Sequence, residues 1–316
     1  MHQLYQKTLH INSIYFHKNR IIFTMMKNAN SIGTDRTLLY ENVNIFDGPE
    51  IEFCYENTLE KNEVLHFHDF SELYVYVSGD VGYFIDGRYY DLERGDLVII
   101  RPNELHHSLI HKECRYERYF FKFPKGCFPA PASGMSSPIA FIESPIPGRL
   151  VRLPVEERGE VLRAVAEIRD LTMNKPENYM TLAYAKTLGI LARVGRALTG
   201  ENIPVVTESM LPKLVENIVN SLSVDLSSPP TAETTAKKFG ISCSYLSRVF
   251  KKYMGMTYTN YLTALRISRA KNLLNAGATV TEACYECGFS DCSHFIAVFK
   301  AQVGVTPLKY KSGGGG

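Results

Sequence analysis

The amino-acid sequence predicts an α+β protein: an N-terminal antiparallel β-barrel with two helices, then an all-α domain built from two helix-turn-helix units. Short runs rich in Val, Ile, Tyr and Phe, separated by turn signals, fill residues 38–123. Apolar residues recur at three- and four-residue steps after residue 155, as in amphipathic helices. The segment RVFKKYMGMT (248–257) returns as AVFKAQVGVT (297–306), which indicates a duplicated unit.

The strand region, residues 38–150, is predicted to be one β-barrel domain that follows an N-terminal extension, residues 1–37. Its clearest signal is VGYFIDGRYYDL (81–92), a hairpin with Asp86-Gly87 at its tip. Strands of similar length and spacing are typical of barrels and sandwiches. The other predicted strands are ELYVYVSG (72–79), GDLVIIRP (95–102) and RYERYFFKF (115–123).

Helical patterns begin after a loop rich in Pro, Gly and Ser, residues 124–148. The segment 151–200 holds two amphipathic helices, 155–172 and 176–200, that we expect to support dimerisation. A linker, 201–208, leads to the all-α domain, 209–311, and residues 312–316 form a glycine-rich tail. Helices of that domain are predicted at 209–221, 231–238, 243–253, 258–275, 280–286, 292–302 and 307–311.

Charge is distributed unevenly along the 316 residues. Residues 209–316 hold 12 Lys and Arg against 6 Asp and Glu, whereas the rest of the chain holds 23 against 27. A basic C-terminal third suggests a polyanionic partner, although a solvated basic face would look the same.

The seven cysteines form no small-domain disulfide framework, and Cys284-x-x-Cys287 alone offers a candidate redox or metal pair. No apolar run approaches the roughly 20 residues that span a bilayer and no signal peptide is recognisable, so we expect a cytoplasmic protein.

Each copy of the repeat is predicted to form a helix, a turn that contains glycine and a second helix. Gly240 and Ser242 are predicted to end one helix and cap the next, and Gly288 and Ser290 to do the same in the second copy. The second helix of such a unit normally lies in the DNA major groove. Small polar and basic residues on its outer face can reach base edges and phosphates. The predicted DNA-binding residues are Ser244, Tyr245, Ser247, Arg248, Lys251 and Lys252 in the first copy, and Ser290, Ser293, His294, Ala297 and Lys300 in the second.

The helix predicted at 258–275 joins the two units. Eighteen residues at 1.5 Å each span about 27 Å, whereas successive major grooves on one face of DNA are about 34 Å apart. A connector of this size could set the two recognition helices into adjacent grooves of one site. A helical bundle that merely packs is the plainer alternative.

The motifs SYLSRVFKKYMGMT, YLTALRISRAKNLL, ACYECGFSDCSHF and VFKAQVGVTPLKYK make residues 209–311 resemble the DNA-binding domain of AraC/XylS-family transcription regulators. The resemblance covers about a third of the chain and implies promoter binding by two helix-turn-helix units, usually in an activator. Where the family often has Ser-Arg in the second recognition helix, this chain has Ile296-Ala297, and Ala301 replaces a usual basic residue. We therefore expect Arg248 to read bases and the second unit to contribute mostly phosphate contacts.

A second resemblance concerns HFHDFSELYVYVSG (66–79) and GDLVIIRPNELH (95–106), which look like the two motifs of the cupin superfamily. The resemblance implies a cupin-like barrel in which residues at the positions of His66, His68, Glu72 and His106 hold a divalent metal in some members. Imidazoles and a carboxylate at inward-facing strand positions suit Fe, Mn, Ni or Zn. The same residues could instead bind a sugar, with Tyr74 stacking on it, or be buried polar groups satisfied within the barrel. His107 and His111 break the spacing and are expected to be surface or strand residues.

These observations predict a ligand-responsive, DNA-binding transcription regulator that activates genes for carbohydrates or related metabolites. Its predicted ligand-binding residues are His66, His68, Glu72, Tyr74 and His106, with no catalytic residues and no cofactor. Expected partners are double-stranded promoter DNA, a small-molecule effector such as a sugar, a second copy of the chain and RNA polymerase. The alternatives are a metal-dependent cupin enzyme fused to a DNA-binding domain, and a constitutive DNA-binding protein whose barrel only dimerises.

Overall fold

The computed structural model describes three N-terminal strands by their backbone, together with most of the chain from residue 50 to residue 312. The described ranges after residue 49 are 50–59, 65–85, 87–112, 114–128, 137–143, 150–199, 205–206, 211–224, 226 and 231–312. Most of the predicted N-terminal extension, most of the 201–208 linker and residues 313–316 of the tail lie outside them.

Antiparallel strands make up the N-terminal half, as predicted. They are β1 (Tyr15–His17), β2 (Arg20–Ile22), β3 (Thr37–Val43), β4 (Ile51–Leu59), β5 (Ser71–Ser78), β6 (Val81–Ile85), β7 (Arg88–Asp91), β8 (Leu97–Ile100), β9 (His106–Ile110), β10 (Arg115–Phe123), β11 (Leu150–Val151) and β12 (Val205–Val206). One sheet has the strand order β12-β11-β8-β5-β10-β4-β3, and a second has the order β7-β6-β9. The predicted hairpin is formed by β6 and β7, with Gly87 at φ +81°, a conformation that glycine adopts without strain.

Successive side chains of each strand point to opposite faces of its sheet, so every second residue faces the same side. On β10, Tyr119, Phe121 and Phe123 pack against the helices that follow the sheet, whereas Tyr116 points into a core shared by the two sheets. This second core also takes Tyr74 from β5 and Tyr83 from β6, so the two sheets face each other around one interior. We call the two facing sheets the β domain.

Helices follow in chain order: α1 (Ala140–Glu143), α2 (Val155–Asn174), α3 (Tyr179–Thr199), α4 (Lys213–Val224), α5 (Ala232–Lys238), α6 (Cys243–Met254), α7 (Tyr258–Asn275), α8 (Val280–Glu286), α9 (Cys292–Val303) and α10 (Pro307–Ser312). Helices α2 and α3 cover the outer face of the larger sheet. The predicted fold class, antiparallel β followed by an all-α double helix-turn-helix domain, is confirmed.

The repeated decapeptide matches a repeated structural unit. Its Phe is fully buried in both copies, at Phe250 and Phe299. Its Gly is the left-handed residue after the recognition helix, with φ +67° at Gly255 and +86° at Gly304. Its Thr starts the next helix, and the Thr257 hydroxyl accepts a hydrogen bond from the Asn260 N–H at 3.2 Å. The same short sequence therefore ends one helix and begins another twice.

Two local expectations were wrong, and the predicted linker contains a short strand. Asp291, not Ser290, caps α9, because the second copy has one extra residue there and a carboxylate accepts from two backbone N–H groups. Part of the predicted linker is a strand, since Val205 and Val206 pair with β11. The loop 124–148 contains the short helix α1.

The β domain and the first helix-turn-helix unit share one apolar core. The β-domain side supplies Leu65, Phe84, Tyr89, Leu105 and Leu109, and the helical side supplies residues of α4, α6 and α7. The second unit has a separate core around Phe295 and Phe299, and Phe67, which precedes β5, packs against both cores. Among the described residues, no helix is both long and apolar enough to cross a membrane.

Candidate functional site: the DNA-binding face and the histidine cluster

The first recognition helix, α6, is fixed by its cap and by one buried face. Ser242 caps it, with the hydroxyl accepting from the Tyr245 N–H at 3.1 Å. Leu246 and Phe250 anchor the inner face in the core. Arg248 lies on the outer face, where its guanidinium sits 5.2 Å from the centre of the Tyr245 ring. This stacking presents a planar, permanently charged donor group to solvent.

The second recognition helix, α9, is capped by Asp291, whose carboxylate accepts from the Ser293 and His294 N–H groups at 3.0 Å each. These backbone hydrogen bonds hold the pKa of Asp291 below its usual range. The outer face of α9 has one basic residue, Lys300, whereas α6 has three. The two units therefore present different surfaces to a polyanion.

The residues predicted to contact DNA are all exposed. They are Ser244, Tyr245, Ser247, Arg248, Lys251 and Lys252 around α6, and Ser290, Ser293, His294, Ala297 and Lys300 around α9. Their inward-facing neighbours are the buried or half-buried apolar residues of the two cores.

The Cys284-x-x-Cys287 pair lies inside the core of the second unit. Both side chains are fully buried, and burial raises the pKa of each thiol to about 12. The Cys284 thiol donates to the Phe289 carbonyl at 3.8 Å. Buried, protonated thiols of this kind are weak nucleophiles, and we assign them a packing role.

Four of the five predicted ligand residues of the β domain converge at one place. His66 and His106 exchange two backbone hydrogen bonds, of 3.1 and 3.0 Å, which hold the segment before β5 against the start of β9. The ring centres of His66 and His106 are 4.3 Å apart, and those of His68 and His106 are 4.7 Å apart. His68, Glu72 and His106 each offer one ligand atom within 4.8 Å of the others, while His66 is more exposed at the rim. We call these four residues the histidine cluster.

Backbone carbonyls fix the tautomers of two cluster histidines. The Nδ1 atom of His68 lies 2.9 Å from the Phe70 carbonyl oxygen, and that of His106 lies 2.8 Å from the Glu104 carbonyl oxygen. A carbonyl oxygen only accepts, so Nδ1 carries the proton in both rings and Nε2 is the lone-pair atom when the ring is neutral. The Nε2 atom of His68 is 3.3 Å from a Glu72 carboxylate oxygen.

Electrostatics keep His68 neutral. Burial is the largest cause that lowers the pKa of His68 well below its usual value, and the neighbouring His66 lowers it further. A neutral ring turns its lone pair towards the Glu72 carboxylate, an arrangement that favours a positive or hydrogen-donating group between the two. Such histidines, each donating to a backbone carbonyl through the other nitrogen, are typical metal ligands.

A chain of aromatic rings connects the histidine cluster to Tyr74. The Tyr83 ring lies nearly parallel to the His106 ring, with centres 6.4 Å apart, and is tilted by 42° to the Tyr74 ring, with centres 4.9 Å apart. The Tyr74 hydroxyl hydrogen-bonds the Tyr116 hydroxyl. All five predicted ligand residues therefore belong to one connected group of side chains in the interior of the β domain.

Four further residues of this lining were missed by sequence reasoning. They are Tyr83, Tyr116, Arg118 and Lys122. Arg118 pairs with Glu56 and lies 4.2 Å above the Tyr116 ring, and Lys122 pairs with Glu52 at 2.9 Å. The signal was present in RYERYFFKF, where Tyr, Arg and Lys at 116, 118 and 122 share the parity of one strand face.

Comparison with known proteins gives two profile matches, an AraC-like ligand binding domain over residues 52–175 and a helix-turn-helix domain over residues 235–313. The HTH-type transcriptional activator RhaR of Mannheimia succiniciproducens is 24% identical over 250 residues, covering 78% of this chain and 87% of that protein. RhaR of Escherichia coli O139:H28 is 23% identical over 255 residues, covering 78% and 86%.

Two solved structures show the range of structural matches. The C-terminal domain of AraT, a response regulator from Geobacillus stearothermophilus, matches with a TM-score of 0.32 at 27% identity, covering 33% of this chain and 88% of that chain. Unsaturated fatty acid bound wild-type ToxT from Vibrio cholerae matches with a TM-score of 0.35 at 13% identity, covering 86% and 97%. The two profiles and the full-length relatives carry the assignment: this chain belongs to the AraC/XylS family of ligand-binding, DNA-binding transcription regulators.

Proposed function

We propose that this protein is a ligand-responsive activator that binds promoter DNA through α6 and α9 and senses a carbohydrate or related metabolite inside the β domain. One observation carries the proposal. A single chain combines two exposed recognition-helix faces with a buried polar cluster that lies in a separate, apolar-walled interior.

The two recognition helices would make different contacts with DNA. Arg248 has the planar donor geometry that reads a guanine edge, while Lys251 and Lys252 suit phosphates. On α9, Ala297 occupies the position that matches Arg248, so this helix would contribute phosphate contact through Lys300 and small-residue contacts to the groove. Sequence specificity would then reside mainly in the first unit.

The lining of the interior suits a polyhydroxyl ligand. Imidazole nitrogens, the Glu72 carboxylate and tyrosine hydroxyls can each exchange hydrogen bonds with sugar hydroxyls. The two buried cations, Arg118 and Lys122, are each paired with a glutamate, so the interior does not present an unbalanced positive charge. Aromatic rings such as Tyr83 provide the apolar face on which a sugar ring stacks.

The helices α2 and α3 would form the seam of a homodimer. They pack on the larger sheet through their inner faces, yet Met173, Met180 and Leu182 remain exposed, at 61%, 36% and 46%. Apolar side chains that stay exposed on neighbouring helices are typical of an interface. RNA polymerase would be the further partner of an activator bound at a promoter.

A thermal-shift screen of the full chain against sugars tests the sensing function. A sugar that binds the cluster should raise the melting temperature of the wild type but not of His66→Ala, at the exposed rim of the cluster, or of His68→Gln, inside it. Arg163→Ala, at an exposed position of α2, is the control and should respond as the wild type does. Sugar-induced stabilisation that survives both cluster changes would place the effector elsewhere.

A second candidate is a metal-dependent activity at the same cluster, favoured by the geometry of His68, Glu72 and His106. Two Nε2 atoms and a carboxylate are donors that Zn, Fe, Mn or Ni accept, and a bound metal would supply Lewis-acid chemistry. Isothermal titration with Ni²⁺ or Zn²⁺ tests the site directly. Micromolar binding that His68→Gln abolishes would support it, and equal metal uptake by both proteins would refute it.

A further inference from the structure

We propose that the second recognition helix, α9, reads thymine methyl groups in the DNA major groove through Ile296. Ala297 beside it adds a second, smaller apolar group. The second unit then has a base preference of its own, although it lacks the arginine of the first unit. This inference goes beyond the proposed function, which gives α9 phosphate and groove contacts without a base preference. It rests on that function in one respect, the placement of α9 in the groove.

Ile296 lies on the side of α9 that carries the predicted DNA contacts. Ser293, Ile296 and Lys300 are separated by three and four residues, so they follow one another along one side of the helix. Ala297 is four residues after Ser293 and three before Lys300, which places it on the same side. All four residues are exposed. The surface that faces the groove is therefore apolar at its centre, with a hydroxyl at one end and a cation at the other.

Two buried rings fix the orientation of this surface. Phe295 and Phe299 are fully buried in the core of the second unit, and their rings meet edge to face with centres 5.7 Å apart. Because they anchor the opposite side of the helix, the side chain of Ile296 stays 37% exposed. An isoleucine side chain has no hydrogen-bonding group, so contact with another apolar group is the way in which a partner can stabilise it.

The matching positions of the first unit carry a different chemistry. There, Ser247 and Arg248 are exposed on α6, and both offer hydrogen-bond donors to base edges. Ile296 and Ala297 have neither group, whereas the serine and the lysine that flank the pair are the same in both copies. The second unit thus keeps the polar ends of the surface and exchanges its hydrogen-bonding centre for an apolar one.

Thymine is the base that fits an apolar centre. Its C5-methyl group projects into the major groove, where guanine presents two acceptors and cytosine presents an amino donor. Contact with the methyl group removes apolar surface of both partners from water. Contact with a G·C pair would instead cover polar groups for which Ile296 offers no hydrogen bond, and that costs free energy.

Electrostatics make this contact more important on α9 than it would be on α6. The outer face of α9 has one cation, Lys300, whereas that of α6 has three. Fewer cations release fewer counterions from the phosphates, so α9 gains less affinity from the DNA backbone. A larger share of its affinity then comes from the base edges.

The test replaces thymine with uracil, which removes the methyl group and leaves every hydrogen-bonding group of the base in place. The DNA is a duplex selected from a random pool by the wild-type protein, and each thymine is replaced singly by deoxyuridine. Binding by the full chain is followed by fluorescence anisotropy. The variants are Ile296→Ser and Ile296→Val. The matched control is Leu308→Ala, because Leu308 is an apolar side chain of the same size that is 67% exposed on α10, outside the recognition helix.

Uracil at one or two positions should weaken binding by the wild type roughly two- to fivefold for each methyl group. Ile296→Ser should bind the thymine and uracil duplexes equally at those positions, because both changes remove the same contact and their effects do not add. Ile296→Val keeps a branched apolar side chain and should retain most of the sensitivity, and Leu308→Ala should retain all of it. Wild-type binding that no uracil weakens, or sensitivity that Ile296→Ser retains in full, would overturn the inference.

Lys300→Ala separates failure of this inference from failure of the proposed placement of α9. Loss of that cation should weaken binding to every duplex alike and reduce the salt slope by about 1. If Lys300→Ala binds as the wild type does, α9 does not contact DNA and the placement fails. If Lys300→Ala weakens binding but no uracil effect depends on Ile296, α9 contacts the backbone without reading methyl groups, and the inference alone fails.

Discussion

Replacing Arg248 with Ala should reduce affinity for the selected DNA site far more than affinity for unrelated DNA. Arg248 is exposed on α6 and held 5.2 Å above the Tyr245 ring, so its guanidinium is oriented before DNA arrives. An arginine that makes a bidentate base contact contributes about 1–3 kcal/mol of discrimination. At RT of about 0.59 kcal/mol, this corresponds to a loss of about 5- to 150-fold in affinity for the cognate site.

The assay compares two DNA duplexes at two salt concentrations. Cognate and scrambled sequences are titrated with wild type and Arg248→Ala by fluorescence anisotropy. Lys252→Ala is the matched control, since it removes a cation from the same helix and should weaken both duplexes alike while reducing the salt slope by about 1. Ala297→Arg, at the matching position of α9, should tighten both duplexes.

The reasoning would be refuted by an Arg248→Ala protein whose preference for the cognate duplex equals that of the wild type. A uniform loss on both duplexes would make Arg248 a phosphate contact, and base reading would then have to come from the small polar residues of α6. A large loss on the cognate duplex in Lys252→Ala would likewise reverse the assigned roles.

Three stability predictions follow. Phe250→Ala should cost about 3–5 kcal/mol in urea unfolding, because the ring is fully buried in the core of the first unit. Gly304→Ala should cost roughly 1–2 kcal/mol in the same assay, since its φ of +86° is left-handed although the space around it is open. Lys271→Met should melt at a higher temperature than the wild type at pH 7. The pKa of Lys271 is lowered to about 8, so its charged form disfavours the folded state below that pH. The advantage should shrink as pH rises from about 8 towards the ordinary lysine pKa of about 10.4, as differential scanning fluorimetry of both proteins would show.

The helical half was the more predictable because its signals are local. Caps, turn glycines and apolar spacing place α5, α7 and α8 within a residue of their observed bounds. The misplaced cap of α9 has a local cause as well: alignment with Ser242 favoured Ser290, but the inserted Asp291 offers a carboxylate to two N–H groups. The choice between Ser290 and Asp291 as the cap of α9 is therefore explained by neighbouring residues alone.

The interior of the β domain was only partly predictable. Motif spacing identified His66, His68, Glu72 and His106. It did not identify Tyr83, because that residue is brought to the cluster only by the pairing of β6 with β9. Phe67 and Asn103 read as ordinary loop residues in the sequence. Their contacts lie across more than 160 residues of chain, and no local pattern records such a partner.

The two helix-turn-helix units differ in the exposed residues of their recognition helices. They also differ in how much of their apolar core they share with the β domain. The first unit carries Arg248 and shares its core with Phe84 and Leu109 of the β domain. The second carries Ala297 and has a separate core around Phe295, against which Phe67 also packs. An effector that moves the strands behind Phe84 would therefore act most directly on the first unit, which we propose reads the sequence, and would reach the second unit through Phe67 and α7. On the proposed division of roles, the unit that reads the sequence is also the unit that shares the larger apolar core with the β domain.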